Sequence, residues 1–175
     1  MQQTSRSTSP EIPEEILGFL AKLDELVADP DRSECEKGLC FHLQELLKKE
    51  GLDLPYQSIV PDVDERGYGR LQVGVGVKSD IELVLVQIPE GGEIKCHTHC
   101  GWAVVMVLEG IEDNQFYVEE GNCLRWVGHK VYNAGEVGVL DGTVAHEIKA
   151  PQRSVSLHIY NKAQDKSCGA DFIEK

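Results

Sequence analysis

Apolar positions in the first third of the chain recur at three- and four-residue steps. Ile16, Leu17, Leu20, Leu23 and Val27 follow Pro13, with Glu14 and Glu15 in the first turn, and predict an amphipathic helix stopped near Asp29-Pro30. Leu39, Leu43, Leu46 and Leu47 predict a second helix. Ser33 and Glu36 suit a capping box at its start, and Gly51 stands just past Lys48-Lys49 as a C-terminal cap. His42 falls within it and reads as an ordinary packed or surface histidine. The Ser/Thr/Gln-rich residues 1–12 read as a mobile tail, because they cannot bury enough apolar area to offset the entropy of ordering.

After Pro61 the period changes. Leu71–Val77, Ile81–Ile88, Trp102–Leu108, Gln115–Val118, Val137–Leu140 and Val155–Tyr160 are short, β-branched or aromatic, and separated by Gly, Pro, Asn and Asp. Residues 67–163 therefore predict seven to nine short strands. No helical period falls between them, so crossover connections are excluded, and the sheet should be antiparallel, closing as a barrel or a double-sheet jelly roll. The expected architecture is mainly β, with two N-terminal helices (13–52) packed outside the barrel and a C-terminal extension at 164–175. Residues 13–175 form one domain, without internal repeats.

Composition narrows the partners. A chain of 175 residues with 41% hydrophobic and 27% charged side chains is an ordinary globular chain with one core. Its net charge of −13 argues against nucleic acid and anionic membrane surfaces, and for a small-molecule ligand. The acidity is uneven, with 15 acidic against 7 basic side chains in residues 1–66 and 15 against 10 in the remainder. No protein partner is inferable from it. Six cysteines lack CxxC or zinc-finger spacing, and the N-terminus lacks a signal-like apolar stretch, so free thiols in a cytoplasmic protein are expected. No apolar run approaches membrane-spanning length.

The chemistry concentrates in Cys96-His97-Thr98-His99-Cys100, after a Pro89-Glu90-Gly91-Gly92 turn. Residues two apart on a strand share a face, so both imidazoles can meet one metal ion. His146, after the glycine turn in Leu140-Asp141-Gly142-Thr143, can supply a third. Gly92…His97-x-His99…Gly110 and Gly138…His146 together resemble the two motifs of the cupin superfamily, small jelly-roll barrels with a metal in the mouth. The acidic ligand usual in the first motif is absent, and Val104 stands there. Three neutral imidazoles with open positions suit Fe(II) oxygenase chemistry, and zinc, nickel or copper would bind the same set.

In Ser154-Val155-Ser156-Leu157-His158-Ile159-Tyr160 strict alternation puts Ser156, His158 and Tyr160 on one face, where they can form a hydrogen-bonded relay. This run, whose His158 stands twelve residues after the third histidine, resembles the cysteine dioxygenase family of thiol dioxygenases within the cupin superfamily. Tyr68-Gly69-Arg70 resembles the family's Tyr-x-Arg element, whose arginine binds the carboxylate of cysteine; a guanidinium matches a carboxylate in shape. Gln72, two residues on, is the alternative, because relatives preferring 3-mercaptopropionate carry glutamine at that place.

The resemblance implies one Fe(II) per chain held by His97, His99 and His146. Arg70 and Tyr68 would bind substrate, and Tyr160, His158 and Ser156 would act catalytically. The implied reaction adds both atoms of O2 to the sulfur of a small thiol, with L-cysteine to cysteine sulfinic acid as the leading conversion and 3-mercaptopropionate as the alternative. A non-catalytic metal- and ligand-binding cupin, or a zinc or nickel isomerase or hydrolase, are readings from other classes. Some family members link a cysteine to the active-site tyrosine; Ala103 or Val104 occupies that place here, so no Cys-Tyr cross-link is expected. Cys96 and Cys100 should point away from the ligands as structural thiols. His129 matches no motif and is expected to be exposed.

Overall fold

The computed structural model describes residues 10–29, 36–99, 101–121 and 123–161. Ser33, Cys100, nearly all of the N-terminal tail and the C-terminal extension lie outside them. Helix α1 (Glu14–Ala28) starts after Pro13, whose φ of −56° already suits a helix, and ends before Asp29. It buries Ile16, Phe19, Leu20 and Leu23, whereas Leu17 is 45% exposed. The true stripe therefore runs at steps of three, one and three, and Leu17 sits about 100° round from Ile16, outside it. Helix α2 (Glu36–Glu50) buries Leu39, Cys40, Leu43 and Leu47. Gly51 is not among the glycines of positive φ, so it is no left-handed cap. It is needed for space, since a Cβ there would lie 2.5 Å from the sulfur of Met106.

One buried acid ties α1 to the sheet. Asp24, 4% exposed, accepts from the amides of Val77 (2.7 Å), Lys78 (2.8 Å) and Ser79 (2.8 Å) and from the Ser79 hydroxyl (2.6 Å). Burial alone would raise its pKa, but the Ser79 hydroxyl and the three amides outweigh burial and hold it below 3.8. Its stabilising contribution is thus complete above the ordinary aspartate value and is lost as pH falls through the depressed one. Asp24→Asn should cost about 3 kcal/mol at neutral pH. In denaturant titrations the gap from wild type should narrow in acid; a gap independent of pH would remove the ionised carboxylate from the account.

Seven strands follow: β1 (Gly69–Val75), β2 (Glu82–Ile88), β3 (Glu93–His97), β4 (Ala103–Glu120), β5 (Cys123–Asn133), β6 (Val137–Leu140) and β7 (Ala145–Tyr160). All pairings are antiparallel, in the order β1-β2-β7-β4-β5, with β3 also on β7 and β6 also on β4. Among the described residues nothing pairs β1 with β5. The sheet is therefore a folded jelly-roll arrangement rather than a closed barrel. No helix among the described residues is long and apolar enough to cross a membrane.

The long strands β4 and β7 carry the fold. At its start β7 pairs with β3 and at its end with β2; Pro151, which has no N–H to donate, falls between the two partners. Gly110 reads as a strand end in the sequence but is a bulge inside β4, at φ 79°. A Cβ there would lie 1.9 Å from the Arg153 carbonyl oxygen, so β4 and β7 approach too closely for any side chain. Two expected short strands thus merge into one of 18 residues. Strand β5 was not expected, because its mostly exposed sequence lacks an alternating apolar face.

Alternation sorts the two faces. Leu83, Leu85, Val104, Met106, Leu108, Val155, Leu157 and Ile159 pack under α1 and α2. Val84, Val86, Ala103, Ile148 and Tyr160 form the cluster of the opposite face, which also carries the polar site.

Candidate metal centre

Strand β3 brings in His97 and β7 brings in His146, and the two are direct partners in the antiparallel register. The Pro89–Gly92 turn aims β3 at this place. Gly92 N–H bonds the Pro89 carbonyl (2.9 Å), Gly91 adopts φ 72°, and Gly91 N–H docks on the Ala150 carbonyl of β7 (2.8 Å). The Asp141–Val144 turn before His146 is closed by Thr143, whose N–H and hydroxyl both donate to the Asp141 carboxylate at 2.8 Å. Gly142 packs so tightly on Gly101 that a Cβ would lie 2.4 Å from the Gly101 carbonyl oxygen. That contact joins the turn to the segment following His99.

The three imidazoles converge. One ligand nitrogen from each of His97, His99 and His146 lies within 4.8 Å of the others. His97 Nδ1–H donates to the Lys95 carbonyl (2.7 Å) and His146 Nδ1–H to Asn114 Oδ1 (3.0 Å). Both bonds place the proton on Nδ1 and leave Nε2 as the lone-pair donor, the usual outer support of a metal-bound histidine. His99 Nε2 and His146 Nε2 are 2.9 Å apart. Burial first, then the neighbouring His97, His99 and His158, holds the His146 pKa well below 6.5, so the ring is neutral, as a ligand must be. Position 104 places an apolar side chain in the helix-facing core, so no carboxylate reaches the centre from there. This donor set fits a divalent transition-metal ion.

The structure also assembles the relay. Ser156 Oγ and His158 Nε2 are 2.9 Å apart, and His158 Nδ1 and the Tyr160 hydroxyl 3.0 Å, all three residues buried. Burial pushes the His158 pKa down to about 3, helped by His99, Arg70 and His97, and burial raises that of Tyr160. The Tyr160 ring lies 5.2 Å from that of His99, so the relay ends at the histidine cluster. Across the strand pair, Tyr160 faces Ala103.

Arg70 stands close enough to Tyr160 and His158 to act on both electrostatically, and Tyr68 does so on Tyr160, whereas Gln72 is exposed. The Arg70 guanidinium is already engaged: Nη2 donates to Glu82 Oε1 at 2.9 Å, and Glu82 is only 3% exposed. Glu82, opposite Tyr160 on β2, carries no signal in the sequence. Neither does Asn114, which lies in the stretch Ile111–Val118, polar on both faces. A cavity of about 390 Å³ also opens on His146, lined by Phe116, Val127, Val139, Leu140 and Val144 with His129 at its side. It meets neither Arg70 nor the relay.

Cys96 lies apart from the metal centre, beside Glu147 and Tyr117, and burial with the Glu147 charge raises its thiol to about 11. His129 is exposed and bonds Asp113 at 3.0 Å; His42 is exposed on α2.

No family model and no curated protein matches the chain. Solved structures do resemble it. Peruvianin-I, a cysteine peptidase from Thevetia peruviana latex, aligns over 63% of this chain and 70% of its own at 16% identity and a TM-score of 0.50. A cupin superfamily protein from Desulfitobacterium hafniense aligns over 63% and 90% at 14% identity and 0.48. The oxalate decarboxylase of Lactobacillus farciminis aligns over 64% of this chain and 33% of its own at 19% identity and 0.48. At such identities the shared property is architecture, and the chemistry rests on this chain's own side chains.

Proposed function

We propose that the chain is an Fe(II)-dependent thiol dioxygenase that converts a small thiol and O2 to the sulfinic acid, with L-cysteine as the first substrate and 3-mercaptopropionate as the alternative within the class. One observation carries this reading: three converging imidazoles, without a carboxylate, stand beside a buried Ser156–His158–Tyr160 hydrogen-bonded chain. Iron held by His97, His99 and His146 would supply the binding of thiolate and oxygen. The side chains would do the rest. Tyr160 would offer its hydroxyl to the substrate, held in place by His158 and through it by Ser156. Arg70, oriented by Glu82 and flanked by Tyr68, would take the carboxylate. Fixing both ends of a small molecule is the protein's largest contribution to rate.

The test is oxygen uptake by protein reloaded with Fe(II) under anaerobic conditions. Cysteine, 3-mercaptopropionate and cysteamine are supplied in turn, and each product is weighed for two added oxygen atoms. Uptake with a carboxylated thiol, stoichiometric with sulfinate, is expected. No uptake with any thiol would leave a metal-binding cupin without this chemistry.

A further inference from the structure

Glu112 lies on β4 two residues before Asn114, on the same strand face, and is 1% exposed. Ser154 Oγ donates to its Oε1 at 3.2 Å. Its Oε2 is the one buried side-chain oxygen without a hydrogen-bond partner among the described residues, and no ion pair reaches the group there. The residue opposite on β5 is the phenol Tyr132; from β7 Ser154 bonds it and the Ser156 hydroxyl stands close enough to act on its charge, with neutral His158 beyond. Burial raises its pKa, and the Ser156 and Ser154 hydroxyls recover only part of the rise. An ionised carboxylate in such a place would be costly.

We propose that Glu112 is held as a neutral carboxylic acid and sets the direction of hydrogen bonding along Ser156, His158 and Tyr160. Protonated on Oε2, the acid would donate to the Ser156 oxygen. Ser156 then gives its own hydrogen to His158 Nε2, and the imidazole carries its single proton on Nδ1. That N–H donates to the Tyr160 oxygen, which leaves the phenolic hydrogen directed out of the chain, on the side of the histidine cluster. An ionised Glu112 would reverse every bond. Ser156 would turn to the carboxylate, His158 would hold its proton on Nε2, and Tyr160 would spend its hydrogen on Nδ1. Glu112 is therefore a positioning residue acting through the relay.

The chain direction can be read without turnover; only the kinetic arm rests on the dioxygenase reading. In the full chain loaded with Zn(II), long-range nitrogen–proton NMR should find His158 protonated at Nδ1 near neutral pH. Infrared difference spectra between wild type and Glu112→Gln should show loss of a protonated-carboxyl band. Glu112→Gln, which keeps a donor and an acceptor, should preserve the tautomer, and Glu112→Ala should not. With iron, Glu112→Ala should lower kcat about tenfold with little change in KM, and Gln should recover most of that loss. A wild-type His158 protonated at Nε2, or no carboxyl band lost, would overturn the proposal. Absent oxygen uptake in wild type would instead overturn the dioxygenase reading and leave the spectroscopic arms standing.

Discussion

Replacing any one of His97, His99 or His146 with alanine is expected to remove bound metal and oxygen uptake together, because two imidazoles are too few to hold a labile divalent ion. The three replacements should differ in their cost to the fold. His97 is partly exposed and donates to the Lys95 carbonyl on its own strand, so His97→Ala should cost the fold less than His146→Ala. His146 is 1% exposed and satisfies Asn114, which is itself buried. His146→Ala strands that amide oxygen and opens a cavity, for a loss of about 2–3 kcal/mol. Elemental analysis, oxygen uptake and denaturant titration on the same preparations separate the effects. His97→Ala that keeps its metal and its activity while folding normally would remove His97 from the ligand set.

How far the sequence discloses this site depends on whether the determinant is local. Strand alternation is local, so the common face of Ser156, His158 and Tyr160 is legible from the order of residues alone; β3 ends at His97, so alternation does not place His99 beside it. The convergence of His97 and His99 with His146 is not local. It depends on a turn packing against Gly101 and on β3 and β7 pairing in one register, which the glycines hint at without specifying. Gly110 misleads for the same reason: its sequence signature as a strand break is identical to that of a bulge where another strand passes. The buried acids are the least legible. Glu82, Glu112 and Asp24 are three of 30 acidic residues, and only burial and partners distinguish them. An acidic exterior thus conceals acids that work inside.

Arg70→Gln is expected to produce two losses with separate origins. The first is stability: the guanidinium bonds a carboxylate that is 3% exposed, and removing it takes that charged hydrogen bond from Glu82, at a cost of about 3 kcal/mol. The second is affinity: if Arg70 takes the substrate carboxylate through the part of its fork not bound to Glu82, KM for cysteine should rise at least tenfold while KM for cysteamine, which lacks the carboxylate, stays put. Adding Glu82→Gln separates them. The double variant replaces the buried carboxylate by a neutral amide, so most of the stability should return, whereas the KM for cysteine should remain high. Arg70 serving solely to neutralise Glu82 predicts the opposite, a recovery of KM together with stability. Because the pair is neutral as a whole, the attraction for an anionic thiol must come from directed hydrogen bonds and from the metal, and weakening by salt should be slight. A steep salt dependence of KM would mean that Glu82 releases Arg70 when substrate binds, and that the ion pair seen here is the resting arrangement of a charge exchange.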